Sequence, residues 1–448
     1  MHTRKIIVSL LGLLFCFSVK ISAQSSVCII GAGAAGLASA YLLDQDYDVL
    51  VLEKRDRIGG HAHTIHVPLD NETVQVEIGC EFFNERMFPT FLRLLKILEL
   101  PTQPFALGYT FFSTRKTAEQ YVLPPLRNEK ILWSEFSASK IFTLVQFKYM
   151  LDKGRAIVDA QDMVTTLEEF TDSLWLTCSF KNDFFFPLFS AGWGVSPAEF
   201  KKFSAYNILS WLIKNKPLGL QKSMWVEIIG GVERYIKTIC SKITRGTVKT
   251  AVDITNIDYN GVQYTITDAQ NNVYSADHLI VATNAYEASM LLQHTAQAAS
   301  VCDILNKFDY FKATLAIHGD ARYMPKDKED WSVANVWYNG IYSSLTTYKS
   351  WKTNGSGIFR SWLFPGFPKP EPLYALEYFY HGKQTAGYFE AQKELALIQG
   401  NNNLWFAGLY THDIDSHENA ILSAVKIAQK LAPCAIRLQA LEIAQECL

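Results

Sequence analysis

Gly31-Ala32-Gly33-Ala34-Ala35-Gly36 stands near the start of this 448-residue chain, in a pattern suited to binding phosphate. It follows the apolar run Val27-Cys28-Ile29-Ile30 and precedes Leu37-Ala38-Ser39-Ala40-Tyr41-Leu42-Leu43, then Val49-Leu50-Val51-Leu52-Glu53. The order is strand, glycine turn, helix, strand and acid. Gly31 permits a tight turn, Gly33 lets backbone approach a pyrophosphate, and Gly36 lets the helix lie close on the sheet. Unpaired N–H groups at the helix start, together with the helix dipole, attract the phosphates. Glu53 falls 17 positions after Gly36, where a carboxylate can accept both ribose hydroxyls. Gly31 to Gly36 with Glu53 therefore predict a dinucleotide site.

A second glycine pair follows at once, in Arg55-Asp56-Arg57-Ile58-Gly59-Gly60-His61, which a simple NAD site does not require. This stretch resembles the R-x-G-G motif of the flavin-containing amine oxidase and phytoene desaturase superfamily. Glu77-Ile78-Gly79-Cys80-Glu81-Phe82-Phe83 is similar to that family's segment beside the flavin ring. Val248 to Ile254, a hairpin at Asn260-Gly261 and Ala276 to Thr283 resemble its returning strands, where the backbone of Val252 would meet the adenine. Asn403-Leu404-Trp405-Phe406-Ala407-Gly408, with a helix from about His417 to Leu431, resembles its closing strand, turn and helix. The resemblance implies non-covalent FAD, since no cysteine lies near the C-terminal flavin segment. It adds Lys54, Arg55, Gly59, Gly60, His61, Val252, Gly408, His417 and Glu418 to the cofactor set.

Within the superfamily the chain resembles a branch of FAD-binding proteins encoded beside, or fused to, cyclopropane fatty-acid synthases. The shared segments are Gly60 to Thr64, Pro187 to Trp193, Trp225 to Gly231, His318 to Pro325 and His417-Glu418. The chain also departs from the amine oxidases. Ser416 stands where their aromatic-cage tyrosine is expected, and Leu409 replaces an acid after Gly408. A wall without a ring cannot orient an amine lone pair. Lys312, in Phe311-Lys312-Ala313, is a candidate for the lysine that faces flavin N5 in many amine oxidases; the competing reading is a surface lysine on an edge strand. No general base stands out, and flavin chemistry does not demand one. His61 and His63 would share a face of a strand while His66 turns away, and no carboxylate pattern completes a metal site.

These residues require an α/β fold: a Rossmann-like two-dinucleotide-binding FAD domain with an interleaved α+β substrate domain. The FAD domain is expected in three pieces, 24–95, 225–300 and 395–433, and the substrate domain in two, 96–224 and 301–394. The stretches Ile131 to Lys153 and Trp331 to Tyr380 are its expected cavity walls. Aromatics reach 13% and are dense at Phe184-Phe185-Phe186 and from Trp331 to Trp362, as a large core or an apolar cavity would require. The amphipathic tail 434–448 could pack on the domain or touch a membrane surface.

Hydrophobic residues make up 49% of the chain and charged residues 19%, a globular composition, and the net charge of −2 gives no reason to expect nucleic acid. Residues 1–23 read as an export signal: Arg4-Lys5, an apolar Ile6 to Val19, and Ile21-Ser22-Ala23 before Gln24. An uncleaved anchor is the alternative. Export raises the question of where FAD is loaded, because Arg4-Lys5 is not a twin arginine. Eight cysteines, seven once Cys16 leaves with the signal, show neither C-x-x-C spacing nor a disulfide scaffold, and Cys28 reads as a buried small hydrophobe. The expected activity is FAD-dependent oxidation of a small apolar or lipid-like substrate. The alternatives are an amine or amino-acid oxidase, and a flavin-binding protein without turnover.

Overall fold

The computed structural model describes residues 24–69, 72–115, 119–127, 130–215, 223–353 and 355–443. The expected signal, 1–23, and the tail end, 444–448, lie outside the described residues. The fold is α/β, built on two unlike sheets. In the first, β1 (Ser26–Ile30), β2 (Asp48–Leu52), β3 (Thr247–Lys249), β4 (His278–Val281) and β5 (Leu404–Phe406) run parallel in the order β3-β2-β1-β4-β5. β1 lies at the centre, Ile29 paired with Val51 on one side and Ile280 on the other. A central parallel strand is covered on both faces, which is why Val27-Cys28-Ile29-Ile30 is uninterrupted by polar residues. Burial pushes the Cys28 thiol up to about 12, so it serves as packing. An antiparallel meander (Ile254–Tyr259, Tyr264–Asp268, Val273–Ala276) turns first at Asn260-Gly261.

α1 (Ala34–Leu43) packs against α4 (His417–Leu431), both presenting small buried residues such as Ala38, Ala40, Ala424 and Ala428. α5 (Ile436–Ile443) closes the tail onto this layer. Leu438 and Leu441 are buried, Arg93 Nε donates to the Leu441 carbonyl at 3.2 Å, and Arg437 Nη1 donates to the Tyr41 carbonyl at 2.6 Å.

The second sheet has seven strands, ordered Leu373–Gly382, Tyr310–His318, Phe359–Trp362, Ser343–Thr347, Ala334–Tyr338, Tyr109–Ser113 and Tyr121–Leu123. All neighbours are antiparallel except Ala334–Tyr338 beside Tyr109–Ser113. Phe184, Phe185 and Phe186 are buried with Phe111, Phe180 and Phe200 in the core beneath this sheet, which is the core reading of that cluster. The 22-residue α3 (Ala138–Asp159) also packs there, through Gln146, Met150, Leu151 and Gly154. Its Ile141, Phe142 and Val145 point outward, so the start of this helix is no cavity wall.

Candidate active site

Two glycine turns meet beyond the carboxyl ends of β1 and β2. Gly31 N donates to the Leu52 carbonyl at 2.8 Å, and Gly59 N donates to the Ala32 carbonyl at 2.8 Å, so Gly33 and Gly59 lie side by side. Gly31 has φ +103° and a β-carbon there would lie 2.9 Å from the Ala282 oxygen. At Gly36 a β-carbon would be driven into the Gly31 carbonyl, which is the close helix–sheet approach expected of this position. Gly33 differs: it has ordinary extended dihedrals, caps α1 without any side-chain bond, and has open space where a β-carbon would be. A helix N-terminus with no side-chain cap and no first-turn acid, opening on free space, fits a pyrophosphate.

Glu53 closes the cradle. Its carboxylate accepts from Ala32 N at 2.7 Å and Arg55 N at 2.9 Å, bracing the turn where a ribose would lie. Val252 is buried beside it, its N–H donating to the Glu53 carbonyl at 2.9 Å. Lys54 stands apart, exposed and paired at 3.0 Å with Asp253. The sequence reading missed Arg57. Its Nη1 donates to the Gly60 carbonyl at 3.1 Å, while its buried Nη2 has no partner among the described residues. A buried guanidinium N–H beside a glycine turn suits a phosphate oxygen. The R-x-G-G motif carries that arginine, and it could have been found there.

Where the glycine turns meet the seven-stranded sheet lies a set of half-buried side chains, which we take as the candidate cleft. His61, Cys80, Tyr109, Tyr310, His381, Asp415 and His417 keep partial accessibility, yet burial is the main influence on the titration of each. The His61 ring stacks on His381 at 5.4 Å and meets Phe379 edge-on at 4.6 Å. Phe311 and Trp362 lie 5.9 and 5.5 Å from His381. His417, at the start of α4, shares a 2.9 Å hydrogen bond with the Tyr235 hydroxyl and packs edge-on against Phe91. Gly408, with φ +150°, carries the chain past the cleft, its N–H donating to Ser423 Oγ at 2.9 Å.

The cleft discourages charge. Burial, with the charges of Arg55 and Arg57, pulls His61 down to about 4. Burial chiefly holds His381 and His417 at about 3. Burial alone pushes the Asp415 carboxyl up to about 7. The three imidazoles stay neutral in the fold but take up protons in the unfolded chain below its ordinary value of 6.5, so stability is lost as pH falls from there towards 4. Asp415 acts in the opposite sense, costing stability as pH rises from about 4 to 7. Three groups outweigh one. Unfolding midpoints of the cofactor-free protein are expected to fall between pH 6.5 and 4.5, and less steeply in a His61→Phe, His381→Phe double variant; equal slopes would contradict this.

Several residues singled out in the sequence do other work. Both Glu418 carboxylate oxygens accept from the first turn of α2 (Pro89–Ile97), Thr90 N at 2.8 Å and Phe91 N at 2.9 Å, which makes Glu418 a brace between helices. Ser416 is the N-cap of α4, its hydroxyl accepting from Asn419 N. Lys312 is exposed and lies over the Tyr378 ring at 3.9 Å, on a strand interior to its sheet and away from the cleft. His61 and His63 precede the strand Thr64–Leu69 instead of lying on it. His63 approaches Glu377 at 3.3 Å and His66 meets Glu233 at 2.8 Å, and no group of metal-ligating side chains forms among the described residues.

Sequence reading also missed a buried ion network behind Glu77 to Phe83. Lys349 Nζ sits 3.1 Å from Glu81 and 2.8 Å from Glu227. Lys352 joins Glu77 and Glu227, and Arg360 Nη1 meets Glu81 at 2.9 Å. Arg360 Nη2 also donates to the Gly79 carbonyl at 3.2 Å. Burial disfavours charge on Glu227, but Lys349 and Lys352 outweigh it and hold that carboxyl below its usual range.

A dinucleotide cradle beside a mixed sheet defines a dinucleotide-binding α/β architecture. The family model described as "Flavin containing amine oxidoreductase" matches residues 34–314, and the chain belongs to that family. Membership of that family implies a flavin cofactor, FAD. A stretch of 104 residues is 37% identical to "Uncharacterized protein R656" of Acanthamoeba polyphaga mimivirus, covering 22% of this chain and 18% of that one. Another of 73 residues is 41% identical to "Amine oxidase [flavin-containing] A" of Canis lupus familiaris, covering 16% and 12%. The chain thus spans less than a fifth of the length of these curated relatives. Among solved structures it is similar to a fatty acid isomerase from P. acnes (TM-score 0.66, 15% identity, covering 92% of this chain and 100% of that one). It is similar too to cyclohexylamine oxidase from Brevibacterium oxydans IH-35A (TM-score 0.64, 15% identity, covering 91% and 99%). At these identities the likeness speaks for the fold.

Proposed function

We propose that this oxidoreductase takes hydride from a small apolar, lipid-like substrate to FAD held without a covalent link. The observation that carries this reading is the aromatic lining: Phe379 packs on His61, Phe311 and Trp362 lie beside His381, and burial pushes the Asp415 carboxyl up to about 7. A charged substrate would meet the same desolvation cost that discharges these groups. Ser416, engaged as a helix cap, offers no ring to an amine. The fatty acid isomerase among the similar folds, and the resemblance to proteins accompanying cyclopropane fatty-acid synthases, support the lipid-like class.

In this reading the N–H groups of Ala34, Ala35 and Gly36 and the free Arg57 Nη2 hold the pyrophosphate. Glu53 takes the ribose and Val252 backs the adenine. Bound flavin supplies the two-electron acceptor. Gly59, Gly60, His61, Gly408 and His417 would help to hold it, and His381 with Phe379 would be left to meet the substrate. The protein's part in the reaction is to orient the substrate and exclude water.

Asp415 favours a second reading, oxidation of amines, because a substrate ammonium could pair with that lone carboxyl. Anaerobic titration of the flavin absorbance separates the two. The expected result is bleaching by unsaturated or oxidisable acyl substrates, with affinity changed less than about threefold in Asp415→Asn, since no charged pair is lost. Bleaching by amines, weakened about tenfold or more in Asp415→Asn, would overturn the lipid-like assignment.

A further inference from the structure

The outward face of α3 is apolar over its first turns, where a helix on a water-facing surface is ordinarily polar, and charged over its second half. Ile141, Phe142 and Val145 follow one another at helical spacing and are each about half exposed. Just upstream Ile131 and Trp133 are exposed as well, Trp133 at 77%, with its ring 5.8 Å from Phe136. Lys140 pairs with Glu135 at 2.9 Å and so fixes this upstream turn against the helix. Trp175, exposed at 92%, comes from another segment. Two residues on, Thr177 N donates at 2.7 Å to Gln146 on the buried side of α3, which sets that segment beside the helix.

Charge surrounds the patch unevenly. Between Lys130 and Arg155 five cations face two carboxylates, and Glu119, which accepts from Ser139 at the start of α3 at 2.8 Å, adds a third. Those carboxylates, Glu135 and Asp152, are engaged with Lys140 and Lys148. Lys130, Lys153 and Arg155 have no acidic partner among the described residues. Tryptophan, phenylalanine and isoleucine in one patch, bordered by uncompensated cations, is the composition of a segment lying in a membrane interface. No helix among the described residues is long and apolar enough to cross a membrane, so the contact would be with one leaflet's surface.

We propose that this patch docks the enzyme on an anionic lipid bilayer. Trp133, Phe142 and Trp175 enter the interface, and Lys130, Lys153 and Arg155 lie over the headgroups. A second copy of the chain fits less well, since a twofold pairing of this face would set its excess positive charge against itself. The docking rests on this surface alone and is independent of which substrate the cleft takes.

Sedimentation of the FAD-loaded full chain with phosphatidylcholine vesicles, with and without phosphatidylglycerol, tests it. Binding is expected with phosphatidylglycerol present, weakening as salt rises. A Trp133→Ser, Phe142→Ser double variant should lose about tenfold or more in partitioning. Lys130→Glu, Lys153→Glu and Arg155→Glu together should abolish the preference for anionic lipid. All these positions are at the surface, and an unchanged flavin spectrum certifies that each variant folds. Absence of binding to either vesicle, or binding untouched by both sets of substitutions, overturns the proposal. So does a concentration-dependent dimer that the double variant dissolves, which would assign the face to a second copy.

Discussion

Gly33→Val is expected to yield a folded protein that no longer holds FAD. Gly33 has φ −77° and ψ −174°, which any residue adopts, and nothing lies within 4 Å of where its β-carbon would be. The fold therefore has no quarrel with the side chain, whereas an approaching pyrophosphate meets it directly. Hydrogen bonds to charged groups are worth about 1.5–3 kcal/mol each, so keeping the phosphate from two N–H groups weakens binding about 100-fold or more. Gly36→Ala is the contrasting control, because its methyl group collides with the Gly31 carbonyl and should prevent α1 from seating on the sheet. The measurements are FAD affinity by fluorescence quenching and folding by circular dichroism. A Gly33→Val protein that binds FAD normally would remove the cradle from the cofactor site.

The largest loss of stability is expected from Lys349→Met, about 3–5 kcal/mol in denaturant unfolding, because Glu81 and Glu227 are left buried with one cation fewer. Burial disfavours the lysine's charge, but Glu81 and Glu227 more than reverse this and raise it above its usual value, so it enters the fold charged. Changing Glu227 to Leu at the same time should return a large part of the loss, since a neutral pair of similar volume leaves less stranded charge. A single variant costing less than about 1 kcal/mol would mean that the network relaxes around the gap.

The cradle could be read from sequence because its requirements are local. Gly31, Gly33 and Gly36 answer to a single turn and the helix that leaves it, and Glu53 closes the strand that follows. The rest depended on partners far along the chain. Glu418 lies 328 positions from Thr90, so nothing near it indicates that it braces α2. Lys349 and Glu227 are 122 positions apart, and each alone reads as a surface charge. Of the two readings of Lys312 the surface lysine is the one the fold matches, since it is exposed over the Tyr378 ring, although its strand is interior to the sheet and not at an edge. Ser416 was notable as a missing ring, and its capping role follows from a helix start that the sequence did place. Asp415, immediately before it, drew no attention because only the assembled cleft removes its water.

Ser26 accepts and donates hydrogen bonds with Asp277 across 251 positions, the span that separates β1 from its neighbour β4. At translation rates of about 5–20 residues per second, β1 waits roughly 12–50 s for that partner, and longer for β5. The first glycine turn is thus among the earliest parts of the chain made and among the last to become useful. During that interval its apolar strand has β2 alone beside it, the state in which chaperones and proteases compete for a nascent chain. A ribosome stalled before residue 404 carries most of the motif residues but lacks the strand that pairs with β4 and the helix that packs on α1.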